Sequence, residues 1–476
     1  MGFTDTIRSI LGMPVTRIGD LDSACAKVDA APDVPGTEPE RDKYQILPEY
    51  HIARKAIEKG LPVLLVTGGA GTGKTTFIRY LSDALGKSTV ILAPTGVAAL
   101  NIGGSTLHSF FKLPPRLLRV EDIPPPGNRN LYDKIDVLVI DEISMVRVDV
   151  MDAVEARMRK EGRDSSKPFG GAQVVLVGDL FQLPPVVPRD EESIIKDIWR
   201  SEYFFSATGL RDATLGSIDL KTVLRQKDRD SIDLLNDLRW GNNLDHVIEQ
   251  LNNRCFGRQP QDDGVTTLTT TVNRADQINS RRLSELPGES RTYAATTSGK
   301  FDIATTRPPS PARLELKDGA QVMFTRNDEG HRWVNGTVGI VRETQDDSIQ
   351  VEVNGSQYPV SRVKWEKFRY TYDRATGKLR HEVEGQFIQF PLMLAWALTI
   401  HKSQGKTLSK VHLDLGNRAF APGQVYVALS RCRSLDDVTL HRRIGQQDIQ
   451  FDPVVHRFYR KLREIDLCKE IGPLPI

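Results

Sequence analysis

Gly68-Gly69-Ala70-Gly71-Thr72-Gly73-Lys74-Thr75 constrains this chain more than any other stretch. It satisfies the pattern G-x-x-x-x-G-K-T. The apolar run at residues 61–67 before it predicts a buried strand. Residues 75–85 after it predict a helix with an apolar stripe at Phe77, Ile78, Leu81 and Leu85. Glycines let the backbone turn so that successive N–H groups face a phosphate. The helix N-terminus adds partial positive charge. Lys74 has the reach for β- and γ-phosphates, and the Thr75 hydroxyl suits Mg²⁺. A glycine turn that binds nothing needs neither Lys-Thr nor these flanks.

With 476 residues, the length suggests about three domains. The net charge of +2 confines any nucleic-acid surface to a local groove. Cys25, Cys255, Cys432 and Cys468 are scattered without metal spacing. That pattern fits a reducing compartment and argues against structural zinc or a disulfide framework. No run of eighteen apolar residues occurs, and residues 7–13 are too short and broken for a secretory signal. The expectation is a soluble intracellular protein, cytoplasmic or nucleoid-associated if bacterial, with no membrane contact.

Residues 1–42 read as a flexible arm, with an acidic, proline-rich stretch at 29–42. A second strand, 89–93, runs into Pro94-Thr95-Gly96, a turn at the carboxyl edge of an open sheet, where ligands bind. Beyond it, His108, Ser109, Phe110 and Phe111 suit either packing or stacking on bases and bonding to phosphates. Residues 113–130 are too proline-rich for a continuous helix or central strand, and fit a stiff wedge or a surface loop. The apolar strand at 135–142 ends in Asp141, suited to organising Mg²⁺, and Glu142, placed to orient or deprotonate a water. Strand 173–179 leads to Gln182, an amide suited to a phosphate oxygen or the lytic water.

A second α/β unit is predicted to begin near Thr214, with a strand at 218–226 carrying Arg225 and a helix at 230–241. Residues 314–390 switch to short alternating strands with glycine turns, the pattern of a small β-barrel. Its basic and aromatic residues fit a nucleic-acid surface or a solvated face equally. The α/β pattern resumes at 394–400, followed by His401-Lys402-Ser403-Gln404-Gly405-Lys406-Thr407. A helix-like segment at 424–433 carries Ser430-Arg431, and residues 454–470 predict a closing helix.

Together these motifs resemble the petite-integration-frequency family of superfamily 1B DNA helicases, related to RecD-type helicases. The resemblance covers roughly residues 50 to 445. It rests on GGAGTGKTT at 68–76, APTGVAALNIGG at 93–104, IDEISM at 140–145, GDLFQLPPV at 178–186, LRQ at 224–226, LTIHKSQGKTL at 398–408 and VALSRCR at 427–433. It implies an α/β fold of two RecA-like P-loop domains, with a wedge insertion in the first and an SH3-like β-barrel insertion in the second. The implied division is 43–205 for the first domain, with the wedge at about 112–131. The second is 206–315 plus 391–476, interrupted by the barrel at 316–390.

The implied activity is ATP-driven, 5′-to-3′ DNA unwinding in replication, repair or recombination, with forks and G-quadruplexes as candidate substrates. ATP and Mg²⁺ are the implied cofactors. Lys74, Asp141, Glu142, Gln182, Arg225 and Arg431 would be catalytic, the two arginines acting as fingers from the second lobe. Gly69, Ala70, Gly71, Thr72, Gly73, Lys74, Thr75, Thr76 and Gly405 would hold nucleotide, and Thr75 and Asp141 the metal. Single-stranded DNA and single–double-strand junctions would be the partners of a protein monomeric in solution. Pro94, Thr95, Gly96, His108, Ser109, Phe110, Asn273, His401, Lys402 and Ser403 would contact the strand. Where the family usually has a glutamine that reads adenine, this chain has His51, with Gln45 six residues earlier. A nucleic-acid-stimulated translocase that does not separate strands would share every motif.

Overall fold

The computed structural model describes residues 45–119, 123, 129–226, 228–258, 264–303, 308–330, 332–373 and 378–469. The arm at 1–42 lies outside these, as do residues 120–122 and 124–128 of the wedge segment.

The first lobe is one parallel sheet. Its strands are Val63–Gly68 (β1), Thr89–Ala93 (β2), Ser105–Thr106 (β3), Val137–Ile140 (β4), Gln173–Val177 (β5) and Leu215–Leu220 (β6), in the order β3-β2-β4-β5-β1-β6. β1, β2, β4 and β5 are almost wholly buried. Their sequences are continuous Val/Leu/Ile runs because both sheet faces are covered. On one face lie Tyr50, Phe77, Ile78 and Leu81, from the helices Pro48–Glu58 and Lys74–Ala84. On the other lie Met151, Val154 and Met158, from the helix Val148–Glu161. The glycine loop leaves the carboxyl end of β1.

Two lobe assignments differ from those predicted. β6 pairs in register with all six residues of β1, so the first lobe runs to residue 220 rather than stopping at 205. An apolar run reveals a buried strand but not which sheet it joins. The closing helix, Pro453–Leu462, also belongs with the first lobe: Val455, Phe458, Tyr459 and Leu462 pack into its core. The chain therefore returns across the second lobe to where it began.

The second lobe follows residue 220 with the helices Arg229–Trp240 and Leu244–Cys255, whose Leu235, Leu238, Val247 and Leu251 pack in its core. Its sheet opens with Val265–Thr269 (β7), after which the chain departs into an insertion. This comprises Arg291–Ala294 (β8), Thr296–Gly299 (β9), Arg313–Leu316 (β10), Gln321–Phe324 (β11), Val338–Thr344 (β12), Ile349–Val353 (β13), Ser356–Val360 (β14), Val363–Asp373 (β15), Lys378–Gln389 (β16) and Leu392–Leu394 (β17). These form a five-stranded sheet β14-β13-β12-β11-β17, a three-stranded sheet β15-β16-β9 and a pair β10-β8. The insertion thus starts near 291 and ends near 394, wider than the predicted 316–390, because its flanking strands pair with interior ones. The chain returns as Ala397–Thr399 (β18), Lys410–Asp414 (β19) and Val438–Leu440 (β20), completing the parallel sheet β18-β7-β19-β20.

The β15–β16 hairpin reaches back to the first lobe. Tyr370 is 4% exposed. Its hydroxyl accepts the Ile91 N–H at 3.0 Å, and its ring meets Phe110 edge-on at 5.5 Å between centroids.

Candidate active site

The glycine loop takes its shape from backbone angles that side chains disfavour. Gly71 and Gly73 have φ of 82° and 85°. A Cβ on Gly71 would stand 2.5 Å from the Arg225 Cβ, and one on Gly73 would stand 2.5 Å from the Tyr50 hydroxyl. That hydroxyl donates to the Gly73 carbonyl at 2.8 Å, tying the first helix to the loop. Thr75 and Thr76 open the following helix. Lys74 Nζ donates to the carbonyls of Gly68 at 2.9 Å and Gly69 at 2.8 Å. Burial lowers its pKa, against the pull of Asp179 and Glu142.

Asp141 and Glu142 follow β4 side by side. The Asp141 carboxylate accepts the Glu142 N–H at 2.8 Å. Burial first, and then the Glu142 charge, push the Asp141 pKa up to about 7. Burial likewise raises Glu142, opposed by Lys74 and Arg431. Glu142 has φ 48° and ψ 45°, a left-handed conformation uncommon outside glycine.

Across the cleft, Gln404 Nε2 donates to Glu142 Oε2 at 3.0 Å and to Gln182 Oε1 at 3.3 Å. Gln404 joins the two residues expected to handle water and the terminal phosphate. It was missing from the predicted site although it sits between Ser403 and Gly405, which were included. Gly405, at φ 75°, turns the chain just after it.

Both predicted arginine fingers arrive at this cleft. Arg225 Nη1 donates to the Ser430 carbonyl at 3.1 Å. Arg431 is 1% exposed and donates to Val427 O, Ser430 Oγ and Ser403 O. Burial and then Arg225 lower the Arg431 pKa to about 9. Burial also lowers Arg225. Two desolvated guanidinium groups therefore face each other with neutral oxygens as hydrogen-bond partners, which favours an anion between them.

The residues present fit a magnesium nucleotide. The glycine loop turns tightly around the Lys74 amine, buried Asp141 and half-buried Glu142 repel one another beside it, and the buried Arg431 and half-buried Arg225 lie opposite. The adenine end is less marked: His51 Nδ1 meets the Tyr80 hydroxyl at 3.1 Å, and Gln45 is exposed just before the first helix.

The predicted DNA contacts divide. Ser109, Asn273 and Lys402 are exposed, and Pro94, Thr95, Gly96, His108 and His401 are half-buried. The Thr95 hydroxyl caps the helix Gly96–Asn101 by accepting the Ala98 N–H. Two side chains are corrected. Phe110 is 7% exposed and is walled in by Phe111, Tyr132 and Tyr370, so its ring cannot stack on a base. Ser403 is buried and its hydroxyl donates to Ile400 O at 2.7 Å. The near limb of the segment expected to form a wedge is pinned to the first lobe: Leu118 N–H donates to Asp149 Oδ2 at 2.9 Å, and Arg147 Nη2 donates to Arg116 O.

A family model described as PIF1-like helicase matches residues 46–244. The chain is 35% identical over 439 residues to ATP-dependent DNA helicase Pif1 of Bdellovibrio bacteriovorus, covering 88% of this chain and 92% of that one. It is 35% identical to ATP-dependent DNA helicase PIF1 of Danio rerio, covering 92% of this chain. It spans 68%, 61% and 65% of the length of the zebrafish, Xenopus laevis and human relatives. Among solved structures it is similar to Bacteroides sp Pif1 in complex with ADP-AlF4, with TM-score 0.82, 34% identity and coverage of 89% of this chain and 98% of that one. To Bacteroides Pif1 bound to ssDNA, at the same identity and coverages, the TM-score is 0.65.

Proposed function

Since the chain belongs to the PIF1-like helicase family, we propose that it is an ATP-dependent DNA helicase that translocates 5′ to 3′ on single-stranded DNA and opens single–double-strand junctions. One observation carries this reading. Arg225 and Arg431, from the second lobe, bring two desolvated cations, the second fully buried, with neutral hydrogen-bond partners to the cleft beside Lys74 and Glu142. A site completed by a second lobe makes hydrolysis depend on how the lobes stand, which is what a motor requires. A related Bacteroides Pif1 has been solved bound to ssDNA, and another related structure describes DNA unwinding at forked dsDNA by two coordinating Pif1 helicases. The polarity rests on the family.

In this reading the loop N–H groups and Lys74 hold the phosphates. Thr75 and Asp141 would hold Mg²⁺, which would supply charge neutralisation there. Glu142, oriented by Gln404, takes the proton from the attacking water, and Gln182 contacts the terminal phosphate. Arg225 and Arg431 offset the charge that develops on the transferred group, a role worth about 10³–10⁵ in rate in other P-loop enzymes. Pro94, Thr95, Gly96, His108 and Ser109 on one lobe, with Asn273, His401 and Lys402 on the other, line the strand's path. The wedge and the β-insertion border the duplex. A DNA-containing intracellular compartment follows; among the described residues no helix is long and apolar enough to cross a membrane.

The test is steady-state ATP hydrolysis with and without single-stranded DNA, using Lys74→Ala as the blank. Strong stimulation followed by unwinding of 5′-tailed duplexes supports the reading. Hydrolysis indifferent to DNA refutes it.

A further inference from the structure

Asp179 lies two residues beyond the strand β5 and is fully buried. Its carboxylate collects groups from three separate parts of the chain. Arg239, at the end of the second-lobe helix Arg229–Trp240, donates from Nη2 at 3.0 Å and Nε at 3.1 Å. The hydroxyls of Tyr426, beside the arginine-bearing segment, and Tyr459, on the closing helix, donate at 3.2 and 3.3 Å. The pair holds Asp179 charged: burial opposes this, but Arg239 and Lys74 outweigh it and lower the pKa.

Both tyrosines also touch segments of the nucleotide site. Tyr426 Oη accepts the Ala70 N–H at 2.8 Å, so a second-lobe hydroxyl is bonded to the glycine loop itself. Tyr459 Oη lies 2.6 Å from Thr67 Oγ1, at the end of the strand that feeds the loop, and accepts the Leu180 N–H at 3.1 Å. Gln182 Nε2 reaches Asp179 at 3.4 Å. The Tyr459 ring stacks on Phe181 at 4.4 Å with 4° between planes, and the Arg239 guanidinium lies within 5.4 Å of the Phe181, Trp240 and Tyr459 ring centroids.

A buried ion pair is a poor device for stability alone, since apolar groups of the same volume would hold the lobes as well. This pair sits where both lobes, the closing helix, the loop and Gln182 converge. We propose that Asp179, Arg239, Tyr426 and Tyr459 are positioning residues for hydrolysis, a buried joint that sets the glycine loop and Gln182 against the arginine-bearing lobe. The inference rests on the ATPase reading above and concerns how closure is transmitted, not which groups react.

Tyr426→Phe and Tyr459→Phe remove one oxygen each and keep the ring packing. Both should lower kcat for DNA-stimulated ATP hydrolysis by about tenfold, within the range for misplacing reacting groups, while KM for ATP stays within about twofold. Arg239→Lys should retain more turnover than Arg239→Met at equal folded fraction. Wild-type kcat in both phenylalanine variants, whatever their melting temperatures, overturns the joint. So does an equal rise in KM with kcat unchanged, which would assign the hydroxyls to ground-state binding. A wild-type protein with no DNA-stimulated turnover overturns the helicase reading and this inference with it; variants indistinguishable from an active wild type overturn this inference alone.

Discussion

Gln404 and Glu142 stand 262 residues apart in the chain and are joined by a 3.0 Å hydrogen bond across the cleft. The same amide nitrogen reaches Gln182. In the proposed mechanism the Glu142 carboxylate takes a proton from water, and that role requires it to be held against rotation. Gln404 holds it only when the second lobe is in place. Gln404→Ala should lower DNA-stimulated kcat by about 10²-fold, the scale for removing one positioned donor in an active site, with KM for ATP within about threefold. Steady-state kinetics checks this; an unchanged kcat would remove Gln404 from the site.

Phe110 and Ser109 are neighbours with opposite environments. Phe110 is enclosed by Phe111, Tyr132 and Tyr370, whereas Ser109 faces solvent. Truncating an enclosed aromatic costs about 3–5 kcal/mol through lost burial and the cavity left behind. Phe110→Ala should therefore lower stability by that amount in chemical denaturation. Ser109→Ala should leave stability within about 0.5 kcal/mol and weaken single-stranded DNA binding. The reverse pattern would restore Phe110 as a stacking residue.

The pair also marks where sequence reasoning succeeds and fails. Residues 89–93 were expected as a strand and are one with the same bounds, because a buried parallel strand is written as a plain apolar run. The places of the loop, Asp141, Glu142 and Gln182 just beyond the carboxyl ends of β1, β4 and β5 were legible because a glycine, an acid or an amide after an apolar run marks where a buried strand stops. Phe110 was not, since two adjacent phenylalanines look alike whether a hairpin from far along the chain covers them or not. That hairpin brings Tyr370, 260 residues away, and no local pattern announces it. Tyr459 reads as one member of an apolar helix stripe, and its hydroxyl acquires meaning only when Thr67 and Asp179 are found beside it. β6 was assigned to the wrong lobe for the same reason: strand identity is local, strand pairing is not.

Gly71 tests the tight approach of the second lobe to the loop. Its φ is 82°, and an added Cβ would lie 2.5 Å from the Arg225 Cβ. Neither atom is the free end of a flexible chain, so loop or arginine must move. Gly71→Ala should reduce ATP turnover by about 10²-fold or more, since displacement of about 1 Å can cost that much. Its melting temperature should change little compared with that loss. Wild-type turnover would mean that the loop and Arg225 do not approach during hydrolysis.

Lys406 carries a charge into the junction between the His401–Thr407 segment and the β-insertion. It is buried, and among the described residues its Nζ makes one hydrogen bond, to Asn335 Oδ1 at 3.0 Å. Burial lowers its pKa from 10.5 to about 8. Below about pH 8 both folded and unfolded chains hold the proton, and the folded one bears the full desolvation cost. Between about 8 and 10.5 the unfolded chain binds more protons than the folded one, so this residue's contribution to stability rises with pH. Lys406→Met, which keeps the stem's volume and drops the charge, should therefore raise stability at pH 7 by about 2 kcal/mol. That advantage should shrink by pH 9.5 as the wild-type amine gives up its proton. Denaturant unfolding of both proteins at the two pH values measures it. A less stable variant at pH 7, or a gap that does not narrow, would show that Asn335 and the surrounding dipoles compensate the buried ammonium in full.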